Sequence, residues 1–181
     1  IKVIRGPLNN VLERFTLAVS DLNENDIVIR LTADNIFPDG FFLQEIADAF
    51  QKRNKDYLGT LSPQNGLPYG VEAEMFTVKL LREAMSSAKS DFEKEHVTVW
   101  MQKRSTDWVF KSEKLIKNMS HLRSTIDSYN DYQKISRIFS MKTILLMYPG
   151  QHCAPDWKIF HNQNFVLHLN IKMKLLYHVL H

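Results

Sequence analysis

The sequence predicts an α/β fold, and three observations carry that reading. A helix-period apolar face, a short β-branched run and a second helix-period face follow one another over residues 11–53, with turn formers between them. The run Ile27-Val28-Ile29 closes on Arg30-Leu31-Thr32-Ala33-Asp34-Asn35, so a buried strand ends on an acidic residue. A second acidic segment, Leu122-Arg123-Ser124-Thr125-Ile126-Asp127, repeats that outline later in the chain. Ligands of open α/β sheets bind at the carboxyl ends of strands. An aspartate there can hold a divalent metal against a phosphate.

The elements follow in order. Val11, Leu12, Phe15, Ala18, Val19 and Leu22 share one helical face, with Asn9 or Asn10 available as N-cap and Asn23-Glu24-Asn25 to end it. Residues 27–31 read as a buried strand. Pro38-Asp39-Gly40 marks a turn. Phe42, Ile46, Ala49 and Phe50 line a second helix, and Lys52, Arg53 and Lys55 near its end suit the dipole. Residues 57–60 predict a short strand and residues 62–70 a turn-rich stretch. Residues 72–76 predict another strand. Val78, Leu81, Ala84, Met85 and Ala88 predict a helix. Residues 92–102 read as one further short helix, Trp108-Val109-Phe110 as a strand, and residues 129–139 as a helix entered through the capping-box-like Ser128-x-x-Asp131. Beyond residue 139 the character changes. Acidic residues almost vanish, Ile144 to Tyr148 is apolar, and residues 165–174 alternate as a strand does. The expected division is a domain over residues 1–139 and a tail over 140–181.

Bulk properties bound the function classes. The 181 residues are 44% hydrophobic and 24% charged, as in a globular domain. The net charge of +3 is mild and neither demands nor excludes an anionic partner; no nucleic-acid partner is expected. No apolar run approaches the roughly 20 residues that span a bilayer, so no membrane insertion is expected. The lone Cys153 excludes an intrachain disulfide framework and fits a reducing, cytoplasmic compartment. The tail histidines His152, His161, His168, His178 and His181 match no compact zinc spacing. Trp100 and Trp108 are read as filling core or interface space.

Several blocks, in order, resemble the sugar-nucleotide cytidylyltransferases, especially the spore-coat-polysaccharide type, relatives of the acylneuraminate and deoxy-octulosonate enzymes. Arg5-Gly6 with Asn10-Val11-Leu12-Glu13-Arg14-Phe15 is similar to the family's Arg-Gly and Asp-Val-Leu-x-Arg-Phe. Arg30-Leu31-Thr32-Ala33-Asp34 resembles its Arg-x-Thr-Gly-Asp strand end. Pro68-Tyr69-Gly70-Val71-Glu72-Ala73-Glu74 resembles Pro-x-Gly-Leu-Asp-Val-Glu, and Glu93-Lys94-Glu95-His96-Val97-Thr98 resembles Glu-x-Glu-His-Val-Thr. Ser120-His121-Leu122-Arg123 with Thr125-Ile126-Asp127 is similar to the family's final block. The chain departs from the pattern at Asn10, Ala33, Glu72 and residues 127–131. No stretch matches the family's opening strand and basic, Gly- or Ser-containing triphosphate loop. The nucleotide half-site is therefore expected upstream of Ile1.

The resemblance implies a Rossmann-like nucleotide-diphospho-sugar transferase fold, a mixed sheet flanked by helices, here without its N-terminal nucleotide-loop segment. It implies transfer of CMP from CTP to a sugar acid with release of pyrophosphate, for surface polysaccharide, and pairing of two copies. The cofactor implied is Mg2+, held by Asp34 and Asp127 as catalytic and metal-binding carboxylates. Arg30 and Arg123 would bind phosphate or the sugar carboxylate, and Glu72, Glu74, Glu95 and His96 would contact the sugar. Plainer roles stand beside each of these. Asp34 can bond its own turn, and Asp127 can cap a helix. The arginines can form surface ion pairs, as favoured for Arg5. The glutamates can sit on solvated faces, as expected for Glu93, and His96 can be structural. The competing functional reading is a catalytically incomplete sugar-binding or assembly fragment of such an enzyme.

Overall fold

The computed structural model describes residues 3–35, 40–60 and 65–137, and the backbone of Met173–His178. The predicted Pro38-Asp39 turn, the apolar run 144–148, the alternation over 165–172, and Cys153 with its neighbouring histidines lie outside the described residues. Helices α1 (Val11–Ala18), α2 (Gly40–Lys52), α3 (Val78–Ser87), α4 (Asp91–Glu95) and α5 (Val99–Arg104) surround strands β1 (Ile27–Thr32), β2 (Tyr57–Gly59), β3 (Glu74–Thr77) and β4 (Met173–His178). Residues 129–137 form one more helix.

The sheet order is β2-β3-β1-β4. β3 runs antiparallel to both β1 and β2, whereas β4 runs parallel to β1, so the sheet is mixed as expected. Successive side chains of a strand point to opposite faces. Ile27, Ile29 and Leu31 accordingly pack with Leu43, Ile46 and Phe50 of α2 on one face. Val28 and Phe76 pack with Leu12, Phe15, Leu81 and Met101 on the other. Each fully buried side chain of this size contributes about 1.5–3 kcal/mol. Arg30 and Thr32 fall on the Val28 face, so a charged residue in an apolar strand points toward α5 rather than α2. Trp100 and Trp108 pack, half-buried, against the same core, as expected.

Caps set the helix starts. The Asn10 side chain accepts from the Glu13 N–H at the head of α1, and Thr77 does the same for the Leu80 N–H at α3. α1 stops at Ala18, short of the predicted face, and Val19 and Leu22 continue it in turns. β3 begins at Glu74, two residues later than predicted.

Three expectations need correction. Residues 92–102 are not one helix. They break at His96–Thr98, where Val97 takes φ 56°. A β-branched residue there costs about 1–3 kcal/mol, and complete burial of Val97 offsets it. Trp108-Val109-Phe110 is not a regular strand. It makes one bridge to Gly59, through Gly59 N–H to the Trp108 carbonyl at 2.9 Å and Phe110 N–H to the Gly59 carbonyl at 2.8 Å. Glu93 is not solvated. It closes a capping box with Ser90 and pairs with Lys103 at 2.8 Å.

Candidate active site

The site forms where β1 and β3 meet α5. The antiparallel register sets Arg30 directly opposite Glu74, and opposite charges across a strand pair attract. Arg30 Nη1 donates to Glu74 Oε2 at 2.5 Å. The other carboxylate oxygen, Oε1, accepts from Tyr57 Oη at 2.5 Å, Thr98 Oγ1 at 2.7 Å and Gln102 Nε2 at 3.2 Å. Gln102 also donates to Tyr57 Oη at 3.0 Å. Gly59 makes this approach possible, because a Cβ there would lie 3.0 Å from Tyr57 Oη and 3.4 Å from Glu74 Cγ.

Glu74 is 6% exposed. Burial by itself raises its pKa, but the Arg30 charge and the hydrogen bonds from Tyr57, Thr98 and Arg30 outweigh burial and hold the carboxyl below its ordinary range. Burial pushes the Tyr57 phenol well up, and the Glu74 charge adds to that, so Tyr57 remains a donor. Each hydrogen bond to a charged group contributes about 1.5–3 kcal/mol.

The network forms one wall of a cleft of about 240 Å³. Arg30, Thr32 and Asn35 come from β1 and its exit. Glu72 and Ala73 precede β3. His96, Thr98 and Gln102 come from the α4–α5 corner. The strained Val97 makes that corner and so delivers Thr98 to Glu74. Arg30 Nε is buried with no hydrogen-bond partner among the described residues, a condition that costs about 1–3 kcal/mol for a buried donor.

The second acidic segment docks beside the cleft. Asn35 and Thr125 form an antiparallel bridge, and the Ile126 N–H donates to the Asp34 carbonyl at 3.2 Å. On its other side the segment meets Tyr69, whose N–H donates to the Leu122 carbonyl at 2.9 Å and whose carbonyl accepts from the Ser124 N–H at 2.7 Å. Asp127 Oδ2 accepts from Thr125 Oγ1 at 2.7 Å and from Arg123 Nη2. The Arg123 guanidinium stacks 5.0 Å over the Tyr69 ring. Ser128 and Asp131 close the capping box of helix 129–137, with Ser128 Oγ accepting from the Asp131 N–H at 3.2 Å and Asp131 Oδ2 accepting from the Ser128 N–H at 3.0 Å. Hydrogen bonding from Ser128 is the main cause that lowers the Asp131 pKa.

Paired backbone thus brings the segments that carry Asp34 and Asp127 to the same end of the sheet. Asp34 Oδ1 is buried and has no hydrogen-bond partner among the described residues. No group of three or more His, Cys, Asp or Glu side chains that could hold a metal occurs among the described residues. Magnesium, however, commonly takes only one or two carboxylates and fills its shell with substrate oxygens and water. The orphaned Asp34 oxygen fits one such ligand, and the Asp127 carboxylate, whose Oδ2 is already held by Thr125 and Arg123, is the second candidate on the adjoining segment.

Of the residues singled out in the sequence, Arg30, Glu72, Glu74 and His96 share the cleft. The His96 ring also packs edge-on against Phe92, centroids 4.3 Å apart. Glu95 is exposed at the end of α4 and outside the cleft lining, and Arg123 is held by Asp127 and Tyr69 beside it. Sequence reasoning missed Tyr57, Thr98 and Gln102 as site residues. Thr98 closes a motif quoted above, and Gln102 lies one helical turn after it, so both carried a local signal. Tyr57 carried none.

Comparison with known proteins adds to this geometry. A family model described as cytidylyltransferase matches residues 1–154. An uncharacterized protein of Methanocaldococcus jannaschii is 29% identical over 136 residues, covering 74% of this chain and 54% of that protein. The spore coat polysaccharide biosynthesis protein SpsF of Bacillus subtilis is 27% identical over 143 residues, covering 76% of this chain and 57% of that protein. The chain therefore spans a little over half the length of these curated relatives. The solved structure of a cytidylyltransferase from Leptospira borgpetersenii matches with a TM-score of 0.63 at 23% identity, covering 83% of this chain and 69% of that one, and so shares its fold.

Proposed function

Because the chain belongs to the cytidylyltransferase family, we propose that it carries the acceptor side of a site that transfers CMP from CTP to a hydroxyl of a sugar acid. The product serves surface polysaccharide, as the name of the Bacillus subtilis relative suggests for that protein. A single observation supports the reading most strongly: the backbone pairing of Asp34–Asn35 with Thr125–Ile126, which brings two acidic segments 90 residues apart in sequence to one strand end.

In this reaction the acceptor oxygen bonds to the α-phosphorus while the bond from that phosphorus to the pyrophosphate oxygen breaks. The acceptor hydroxyl loses its proton to solvent. The protein's part is positioning and charge neutralisation. Asp34 and Asp127 would hold Mg2+, which supplies charge neutralisation at the phosphate oxygens and a lower pKa for the attacking hydroxyl. Arg30 offers N–H donors to an anionic group of the substrate, and Glu72, His96 and Gln102 line the space a sugar would fill. The same reading carries a cytoplasmic setting and a paired assembly.

The second reading, a catalytically incomplete sugar-binding or assembly unit, is favoured by the engagement of the Asp127 carboxylate with Arg123 and Thr125. One experiment separates them. Pyrophosphate release from CTP and magnesium is followed with a panel of sugar acids, for this chain and for a form extended at its N-terminus to the relatives' length. Release by the extended form that falls at least about a hundredfold in Asp34→Asn supports the proposal. Release by neither form refutes it. Release by the extended form alone assigns this chain the second role.

A further inference from the structure

Two sequence blocks of the acceptor side, ending at Glu74 and Thr98, are joined in space by one buried carboxylate. Both oxygens of Glu74 are occupied by side chains of this chain, from Arg30 on one and from Tyr57, Thr98 and Gln102 on the other. Glu74 therefore has little left to offer a sugar hydroxyl. Arg30 is in the opposite condition. One amino group is fixed on Glu74, the Nε is buried without a partner among the described residues, and the side chain, 16% exposed, borders the cleft.

We propose that Glu74 is a positioning residue, holding the Arg30 guanidinium so that the part of the side chain left open to the cleft receives an oxyanion of the substrate. The oxyanion is either the carboxylate of the acceptor or a phosphate of the nucleotide, both of which pair with guanidinium N–H groups. This rests on the transfer reading above. The pair carries no net charge, so recognition comes from directed donation rather than from attraction alone. Three donors on Oε1 fix the carboxylate, the carboxylate fixes Arg30, and the cross-strand register fixes both at the mouth of β1.

A Glu74→Gln variant of the extended form tests this, because positioning and simple neutralisation predict opposite signs. If Glu74 only cancels the charge of Arg30, removing its charge tightens binding of an anion and the KM falls. If Glu74 positions Arg30, the KM of one substrate rises about tenfold, the loss expected for one misdirected charge-assisted pair. A rise confined to the acceptor assigns the oxyanion to its carboxylate; a rise confined to CTP assigns it to phosphate. Glu74→Asp, which keeps the charge, recovers part of the loss and serves as the variant to measure if Glu74→Gln does not fold. Hydrogen exchange at the Arg30 Nε–H, followed by NMR and assigned with Arg30→Lys, needs no activity. It accelerates at least about tenfold in Glu74→Gln. A KM that falls or stays the same, or an unchanged Arg30 exchange rate, overturns the proposal. An inactive wild type with the expected exchange change refutes the transfer reading and leaves the Glu74–Arg30 arrangement standing.

Discussion

Gly70→Ala is the most informative perturbation of the acidic segment. Gly70 occupies the third position of the turn Pro68–Val71, closed by the Val71 N–H to the Pro68 carbonyl at 3.0 Å, and has φ +96°. A positive φ at that position favours glycine. A Cβ there would lie 2.5 Å from Thr125 Cγ2 and 2.9 Å from both Ser124 Oγ and Thr125 N. The φ penalty is about 1–2 kcal/mol, and overpacking against backbone adds about 1–3 kcal/mol. The total of roughly 2–5 kcal/mol falls on the contact between residues 68–70 and 122–126, because the backbone of Thr125 cannot yield as a flexible side-chain end could. The assay is amide hydrogen exchange at Tyr69, Ser124 and Ile126, the three donors that tie this segment down. Their protection is expected to fall at least about thirtyfold, with 1.4 kcal/mol per factor of ten. Met75 in the sheet centre keeps its own. Activity of the extended form falls with the protection, since the same segment carries Asp127. Wild-type exchange at Tyr69, Ser124 and Ile126 in a folded Gly70→Ala protein would refute the claim that this close approach docks the segment.

Two further outcomes are expected. Glu93 is held down from an ordinary value of 4.5 to about 2, chiefly by the hydrogen bond from Lys103 and then by the Lys89 and Ser90 N–H groups. A carboxyl with a lowered folded-state pKa contributes stability that is present above its unfolded value and lost as pH falls. The stability gap between wild type and Glu93→Gln in urea titrations is therefore open at pH 6, narrows below about 4.5 and closes near pH 2; a gap that persists at pH 2 contradicts the assignment. Tyr57→Phe removes one of three donors to Glu74 Oε1 and the acceptor of Gln102, and is expected to cost about 1.5–3 kcal/mol, read as a lower urea midpoint at unchanged slope.

Local physics made much of the fold legible. The apolar run Ile27-Val28-Ile29, buried on both faces, marked β1, and the cap at Asn10, the apolar face of α2 and the Ser128–Asp131 box all emerged where short-range rules put them. What failed was nonlocal. No glycine or proline marks the break between α4 and α5, because Val97 is forced to φ 56° by its burial in the core rather than by its own preference. Trp108-Val109-Phe110 has strand composition, but its ladder partner, Gly59, ends β2 and allows only one bridge. Glu74 stood out in a motif, with a sugar contact and a solvated face as its two readings, but not as an internal residue. Its role depends on the pairing with Arg30, 44 residues away, which no spacing within either block reveals.

The two halves of the site differ in stiffness, and this follows from what holds them. Arg30 is fixed by a buried carboxylate with hydrogen bonds on both oxygens, between two strands of the sheet centre and a packed helix corner. Residues 122–127 are held by a few backbone bonds, with Thr125 buried but Arg123 and Asp127 exposed. Regions with exposed hydrogen bonds and few apolar contacts open at lower free energy than a core. The exposed Asp127 side chain is therefore less constrained by its surroundings than the Arg30 guanidinium. Asn35 joins the two halves, lining the cleft and bridging to Thr125. The acidic segment is consequently coupled to the cleft through the exit of β1, whereas the Glu74 network is anchored two residues further back, at Arg30 in the sheet.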